Sequence, residues 1–152
     1  MREFKGRVLF PGTYKGEAVV SHHGLNTLAS FQTSALIPTS KKIIVGDQNN
    51  PDLYKKNITG KALCLPQTIG STTGGMVIQT VAVRNLAPKV WLFSKTVDPL
   101  AASGIILSNV WNDVGLIAID ELGDEFLDAV KTGDTIEVKE DGTVIVFGKE
   151  KK

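Results

Sequence analysis

The 152-residue chain has a single cysteine, Cys64. One thiol excludes an internal disulfide, and it cannot alone hold an iron–sulphur cluster or a zinc ion, which draw on several thiolates or imidazoles. Histidine is nearly as scarce: His22 and His23 stand side by side. Neighbours on a strand face opposite ways, so the pair suits a surface or loop better than a shared metal. Net charge is also close to absent, +1 from 17 Lys and Arg against 16 Asp and Glu. The two signs are interspersed, which excludes the field that gathers a polyanion; no nucleic acid partner is expected. The longest uncharged apolar runs, 90–93 and 115–119, fall far short of a bilayer's span, so no membrane association is expected. The opening MREFKGRVLF lacks a signal-like apolar stretch, and the expectation is a soluble, cytoplasmic protein.

What is present, 42% hydrophobic and 22% charged residues, suffices for one compact core. A single domain over 1–148 is expected, with a charged tail, 149–152, that should fray. Residues 4–10 read as a strand turned by Pro11-Gly12-Thr13 into a returning strand at 17–20, an expected hairpin. Residues 22–40 and 48–58 carry little pattern, and 42–45 reads as a short strand between them. From there the rhythm is strand 62–65, helix 76–86, strand 89–93, helix 99–107 and strand 114–119, the signature of a parallel sheet covered by helices. A short helix at 125–130 leads to strands 135–139 and 143–147 joined by Asp141-Gly142, a hairpin signal. The fold class is therefore α/β: a β/β/α domain with a central mixed or parallel sheet and antiparallel hairpins at both chain ends.

The segment that stands out is Gln67-Thr68-Ile69-Gly70-Ser71-Thr72-Thr73-Gly74-Gly75, four hydroxyls and three glycines before an apolar run. Glycine permits positive φ and close approach of the backbone, and amide N–H groups at a helix start carry fixed partial positive charge. Such a loop suits a carboxylate or a phosphate. Ser71 has a plainer reading as an amino-terminal cap, and Thr72 and Thr73 as local hydrogen-bonding hydroxyls; composition alone leaves these alternatives open.

This loop, Gly60-Lys61-Ala62-Leu63-Cys64-Leu65-Pro66 before it and Asn85-Leu86-Ala87-Pro88-Lys89 after it resemble the aconitase X small-subunit family. So do Gly6-Arg7-Val8-Leu9, Pro11-Gly12, Lys15-Gly16-Glu17-Ala18-Val19, Lys95-Thr96 with 101–107, and Thr132-Gly133-Asp134. The family includes the small subunits of phosphomevalonate dehydratase and cis-3-hydroxyproline dehydratase. The resemblance implies a swivelling domain that closes over a larger, metal-bearing subunit, in enzymes that dehydrate small hydroxy-carboxylates. It implies that an iron or iron–sulphur centre sits on that partner and none on this chain. It also implies that the serine after the loop glycine, Ser71, is the proton acceptor. The loop's own amides, at Gly70, Thr72, Thr73 and Gly74, are expected from its composition to bind the substrate's anionic group. Two features depart from the family pattern. Ile69 stands where a cation is common, and Asn26-Thr27-Leu28-Ala29-Ser30 replaces an aromatic and diglycine segment.

Two other classes compete. A phosphohistidine carrier shares the architecture, but 76–86 contains no histidine to phosphorylate. A noncatalytic interaction module would keep the fold alone. Elsewhere, Cys64 reads as a buried inert thiol, Asp120, Glu121, Asp124 and Glu125 as solvated acids near a helix start, and Trp91 and Trp111 as core or subunit-contact residues.

Overall fold

The structure, a computed structural model, describes residues 1–37, 39–70 and 74–148. Its elements in order are β1 (Arg2–Lys5), β2 (Arg7–Phe10), β3 (Tyr14–Val20), β4 (Leu25–Asn26), α1 (Thr27–Leu36), β5 (Ala62–Leu65), β6 (Thr68–Ile69) and α2 (Gly74–Val83). There follow β7 (Val90–Phe93), α3 (Pro99–Ile106), β8 (Ile117–Asp120), α4 (Asp124–Ala129), β9 (Thr135–Val138) and β10 (Thr143–Gly148). A π-helical turn, Leu107–Trp111, extends α3.

Eight strands form one sheet in the order β1-β10-β9-β3-β5-β7-β8-β2. The β3-β5-β7-β8 run is parallel, and both flanks are antiparallel, so the sheet is mixed as expected. Its two edges, β1 and β2, are separated in the chain by Gly6 alone, so the sheet must curl until they meet. Gly6 N–H donates to the Gly142 carbonyl at 3.2 Å, and a Cβ on Gly6 would lie 2.4 Å from the Asp120 carbonyl oxygen. Glycine is required there by space.

The expected amino-terminal hairpin does not form. Residues 4–10 break at Gly6 into two strands, β1 on β10 and β2 on β8, while β3 pairs with β9 and β5. The local pattern of 4–10 concealed the division, because partners more than a hundred residues away decide it. The carboxy-terminal hairpin forms, with Val144 opposite Val138. The strand expected at 42–45 reduces to one bridge, Ile44 to Asn57. Ile43 and Val45 are fully buried and bond through their backbones to 55–58, with Ile58 N–H donating to the Ile43 carbonyl and Val45 N–H to the Lys56 carbonyl, yet no regular strand extends from the bridge.

Side chains of the parallel strands alternate between two cores. Val19, Leu63, Leu65, Trp91, Phe93 and Ala118 face α1, α2 and α3. Ala18, Val20, Ala62, Cys64, Val90, Leu92, Ile117 and Ile119 face inward, where Phe126 and Leu127 of α4 and the strands β9 and β10 enclose them. The result is sheet on sheet on helix. Within the helical layer α2 and α3 meet at Gly75 and Gly104, where an added Cβ on Gly104 would come within 2.8 Å of the Gly75 carbonyl oxygen. Gly75 therefore serves helix packing.

Candidate functional site

Strands β3, β5 and β7 run in parallel, so their carboxyl ends share one edge, which is where open α/β sheets bind ligands. At this edge β5 ends at Leu65, and the chain passes through β6 to the start of α2 at Gly74. The approach is held at Gln67, Thr68 and Ile69. β6 pairs in parallel with β4, Leu25 opposite Thr68 and Asn26 opposite Ile69. Leu25 N–H donates to the Gln67 carbonyl at 3.0 Å. Thr68 is buried, and both its N–H (2.7 Å) and its hydroxyl donate to the carboxylate of Asp98. Asp98 also caps α3, accepting from Ala101 N–H at 3.1 Å, with Pro99 at the first helical position.

Gly70 has φ +115°, and an added Cβ would sit 3.1 Å from the Asn26 side-chain oxygen. That oxygen also accepts from Ala29 N–H at 3.0 Å, closing the start of α1. Of the expected site residues, Gly70 and Gly74 thus bracket the loop at the carboxyl edge. Ser71, Thr72 and Thr73 lie outside the described residues. No acidic residue occurs in 66–86, and α2 has none in its first turn, so no carboxylate on α2 or its approach offsets the positive end of its dipole.

Beside Gln67 the same edge opens into a cleft of about 460 Å³. His22, Gln67, Ser94, Lys95, Asp124 and Asp128 line it. Ser94 is 4% exposed, and its hydroxyl oxygen has no hydrogen-bond partner among the described residues. His22 and His23 remain on the surface, about half exposed, both beside Asp52 at 3.5 and 4.0 Å.

The acidic cluster separates into two environments. Glu121, Asp124 and Glu125 are exposed, the last two in the first turn of α4. Asp120 contradicts the expectation of a solvated acid: it is completely buried at the end of β8 and accepts two bonds from Arg7, at 2.9 and 2.7 Å, and one from Val97 N–H at 2.8 Å. The bond and charge of Asp120 push the Arg7 guanidinium further toward its protonated form. The carboxylate is buried because it joins the closing strand β2 to the connection preceding α3. Trp91 is wholly in the core and Trp111 is 78% exposed.

Cys64 is fully buried, and burial, then the charge of Asp134, pushes its thiol up. Among the described residues no three His, Cys, Asp or Glu side chains gather as a metal site. No helix of the described residues is long and apolar enough to cross a membrane.

Sequence reasoning passed over Asp98, Asn26 and Ser94. Asp98-Pro99 before a helix is a legible start signal. That the same carboxylate grips Thr68, 30 residues away, is visible only in the fold.

Fold and site together define a class: a three-layer β/β/α domain that presents a glycine-bounded, hydroxyl-rich loop at the carboxyl edge of its parallel strands. Residues 3–147 match the aconitase X swivel domain, and the chain belongs to that family. It is 30% identical over 141 residues to the phosphomevalonate dehydratase small subunit of Methanocella arvoryzae, covering 93% of this chain and 94% of that one. The phosphomevalonate dehydratase small subunit of Methanocaldococcus jannaschii is 30% identical over 136 residues, 90% of each chain. Among solved structures, the Thermococcus kodakaraensis aconitase X holo-form superposes with a TM-score of 0.79 at 28% identity, covering 97% of this chain and 99% of that one.

Proposed function

We propose that this chain is the small subunit of a cytoplasmic hydro-lyase that dehydrates a small hydroxylated carboxylic acid, with phosphomevalonate the first substrate to test. In this reading the chain is active only with a larger subunit, which carries the iron or iron–sulphur centre, and Ser71 is the proton acceptor. The observation that carries the reading is the near end-to-end match to relatives named as small subunits of a dehydratase. The position of the loop at the ligand-binding edge of the sheet supports it.

Dehydration of a β-hydroxy acid needs a base for a weakly acidic C–H beside a carboxylate. A serine hydroxyl is a poor base in water, so its alkoxide must be stabilised by donors fixed in a dry site. The start of α2, with no acid across 66–86, is a fitting source of such donors. Gly70 and Gly74, on either side of Ser71, allow backbone amides to approach the substrate's anionic groups. Closure of the domain on its partner would exclude water from the cleft at this edge.

The test is turnover of phosphomevalonate by the chain co-expressed with its larger subunit. Ser71→Ala should lower the rate by roughly 10²- to 10⁴-fold, the usual contribution of a positioned base, with assembly intact on gel filtration. Turnover at the wild-type rate would refute the serine's role. An intact complex with no dehydratase activity in either form would instead favour a noncatalytic module.

A further inference from the structure

We infer that the Asp98–Thr68 pair is the positioning device of the catalytic loop, and this rests on the reading of Ser71 as proton acceptor. Asp98 does more than cap a helix. One of its oxygens accepts from Thr68 N–H at 2.7 Å; the other accepts from the Thr68 hydroxyl and, at 3.1 Å, from Ala101 N–H. Three donors from two elements, β6 and α3, converge on one carboxylate. Thr68 itself is only 4% exposed. It stands three residues before Ser71 in the chain, with Ile69 and Gly70 between them.

The grip is two-sided. On the other flank Asn26 pairs through its backbone with Ile69 in the β4–β6 ladder, and its side-chain oxygen lies 3.1 Å from where a Cβ on Gly70 would be. The loop therefore leaves β6 from a point tied to the starts of both neighbouring helices, α1 through Asn26 and α3 through Asp98. Of the two ties, Asp98 is the charged one and holds both the backbone and the side chain of Thr68. Charge-assisted bonds of this kind are about twice as strong as neutral ones. A base must reach its proton within a few tenths of an ångström, and a slack anchor three residues away is felt in the rate of the chemical step more than in substrate affinity. Asp98 and Thr68 touch neither the substrate nor the reacting atoms in this account; they act through the loop.

The chemistry of the pair supplies a clean separation. Asparagine caps a helix as well as aspartate does, so Asp98→Asn keeps the α3 cap. Its amide oxygen, kept at the cap, still meets the Thr68 hydroxyl, while its NH₂ replaces the oxygen that accepted from Thr68 N–H and sets two donors against each other. Thr68→Val removes the hydroxyl alone at nearly constant volume, and Thr68→Ser restores it.

The experiment is steady-state kinetics of the two-subunit complex on phosphomevalonate for Asp98→Asn, Thr68→Val and Thr68→Ser, with thermal midpoints recorded alongside. The expected result is a fall in kcat of at least about 10-fold for Thr68→Val and Asp98→Asn, with KM within about 2-fold of wild type and kcat regained in Thr68→Ser. Wild-type kcat in both Thr68→Val and Asp98→Asn would overturn the inference. Equal loss in Thr68→Val and Thr68→Ser would also overturn it, because packing and not the hydroxyl would then be responsible. Ser71→Ala measured in parallel keeps the two readings apart. An inactive Ser71→Ala beside fully active Thr68 and Asp98 variants removes the positioning device alone, whereas an active Ser71→Ala removes the serine's role.

Discussion

Two connections leave the same edge of the sheet and begin neighbouring helices, yet they are built oppositely. The connection from β7 to α3, Ser94-Lys95-Thr96-Val97-Asp98, ends in a carboxylate that caps its helix, and its Val97 N–H is tied to buried Asp120. The connection from β5 to α2 contains glycine, hydroxyls and no acid. In the first, the positive end of the helix dipole is answered from within the chain. In the second, no carboxylate of the segment answers it, and the side chain that steadies its approach, Asp98, is borrowed from the first. One connection is thus structural and supports the other, which the proposed function assigns to an anionic substrate.

The largest effect that can test this contrast is chemical. Ser71→Ala should remove roughly 10²- to 10⁴-fold of turnover while leaving the fold and assembly unchanged, as read by complex kinetics and gel filtration. Next in size is damage to the structural connection. Asp120→Ala strands Val97 N–H and leaves Arg7, which is half exposed, with Glu121 at 3.4 Å and solvent. A loss of about 2–3 kcal/mol is expected, measured by urea unfolding of the isolated chain. Smaller again is Gly70→Ala. A side chain at φ +115° is strained, and the added Cβ would press on Asn26, so about 1–3 kcal/mol should be lost in the same assay. The smallest change sharpens the comparison by making the second connection like the first. Gly74→Asp places a carboxylate in the first turn of α2 and should stabilise the chain by about 0.3–1 kcal/mol while raising KM for an anionic substrate.

Much of the helical half was legible because its pattern is local. The strand–helix alternation from 62 to 119 follows from apolar runs broken at Pro66, Pro88 and Pro99, and the observed strands and helices fall within a few residues of the expected ones. Gly70 and Gly74 were picked out by composition, and the structure places one at the end of β6 and the other at the start of α2. What escaped is decided at long range. Gly6 reads as an ordinary residue in an apolar strand until β10 and β8 claim its two sides. α1 carries little amphipathic signal, being rich in Thr, Ser and Gln, and its placement rests on Phe31 buried against Trp91. Asp120 belongs to an acidic stretch that looks solvated, and only the return of β2 with Arg7 brings it a partner. Trp91 and Trp111 are the same residue type with opposite fates, since one lies within the sheet and the other on the π-helical turn after α3.

The most direct measurement of the central claim is the rate of C–D cleavage in a single turnover of the two-subunit complex, using phosphomevalonate deuterated on the carbon beside its carboxylate. The account predicts that Ser71→Ala slows this cleavage by at least about 100-fold with the complex intact. Cleavage at the wild-type rate without the Ser71 hydroxyl would contradict it.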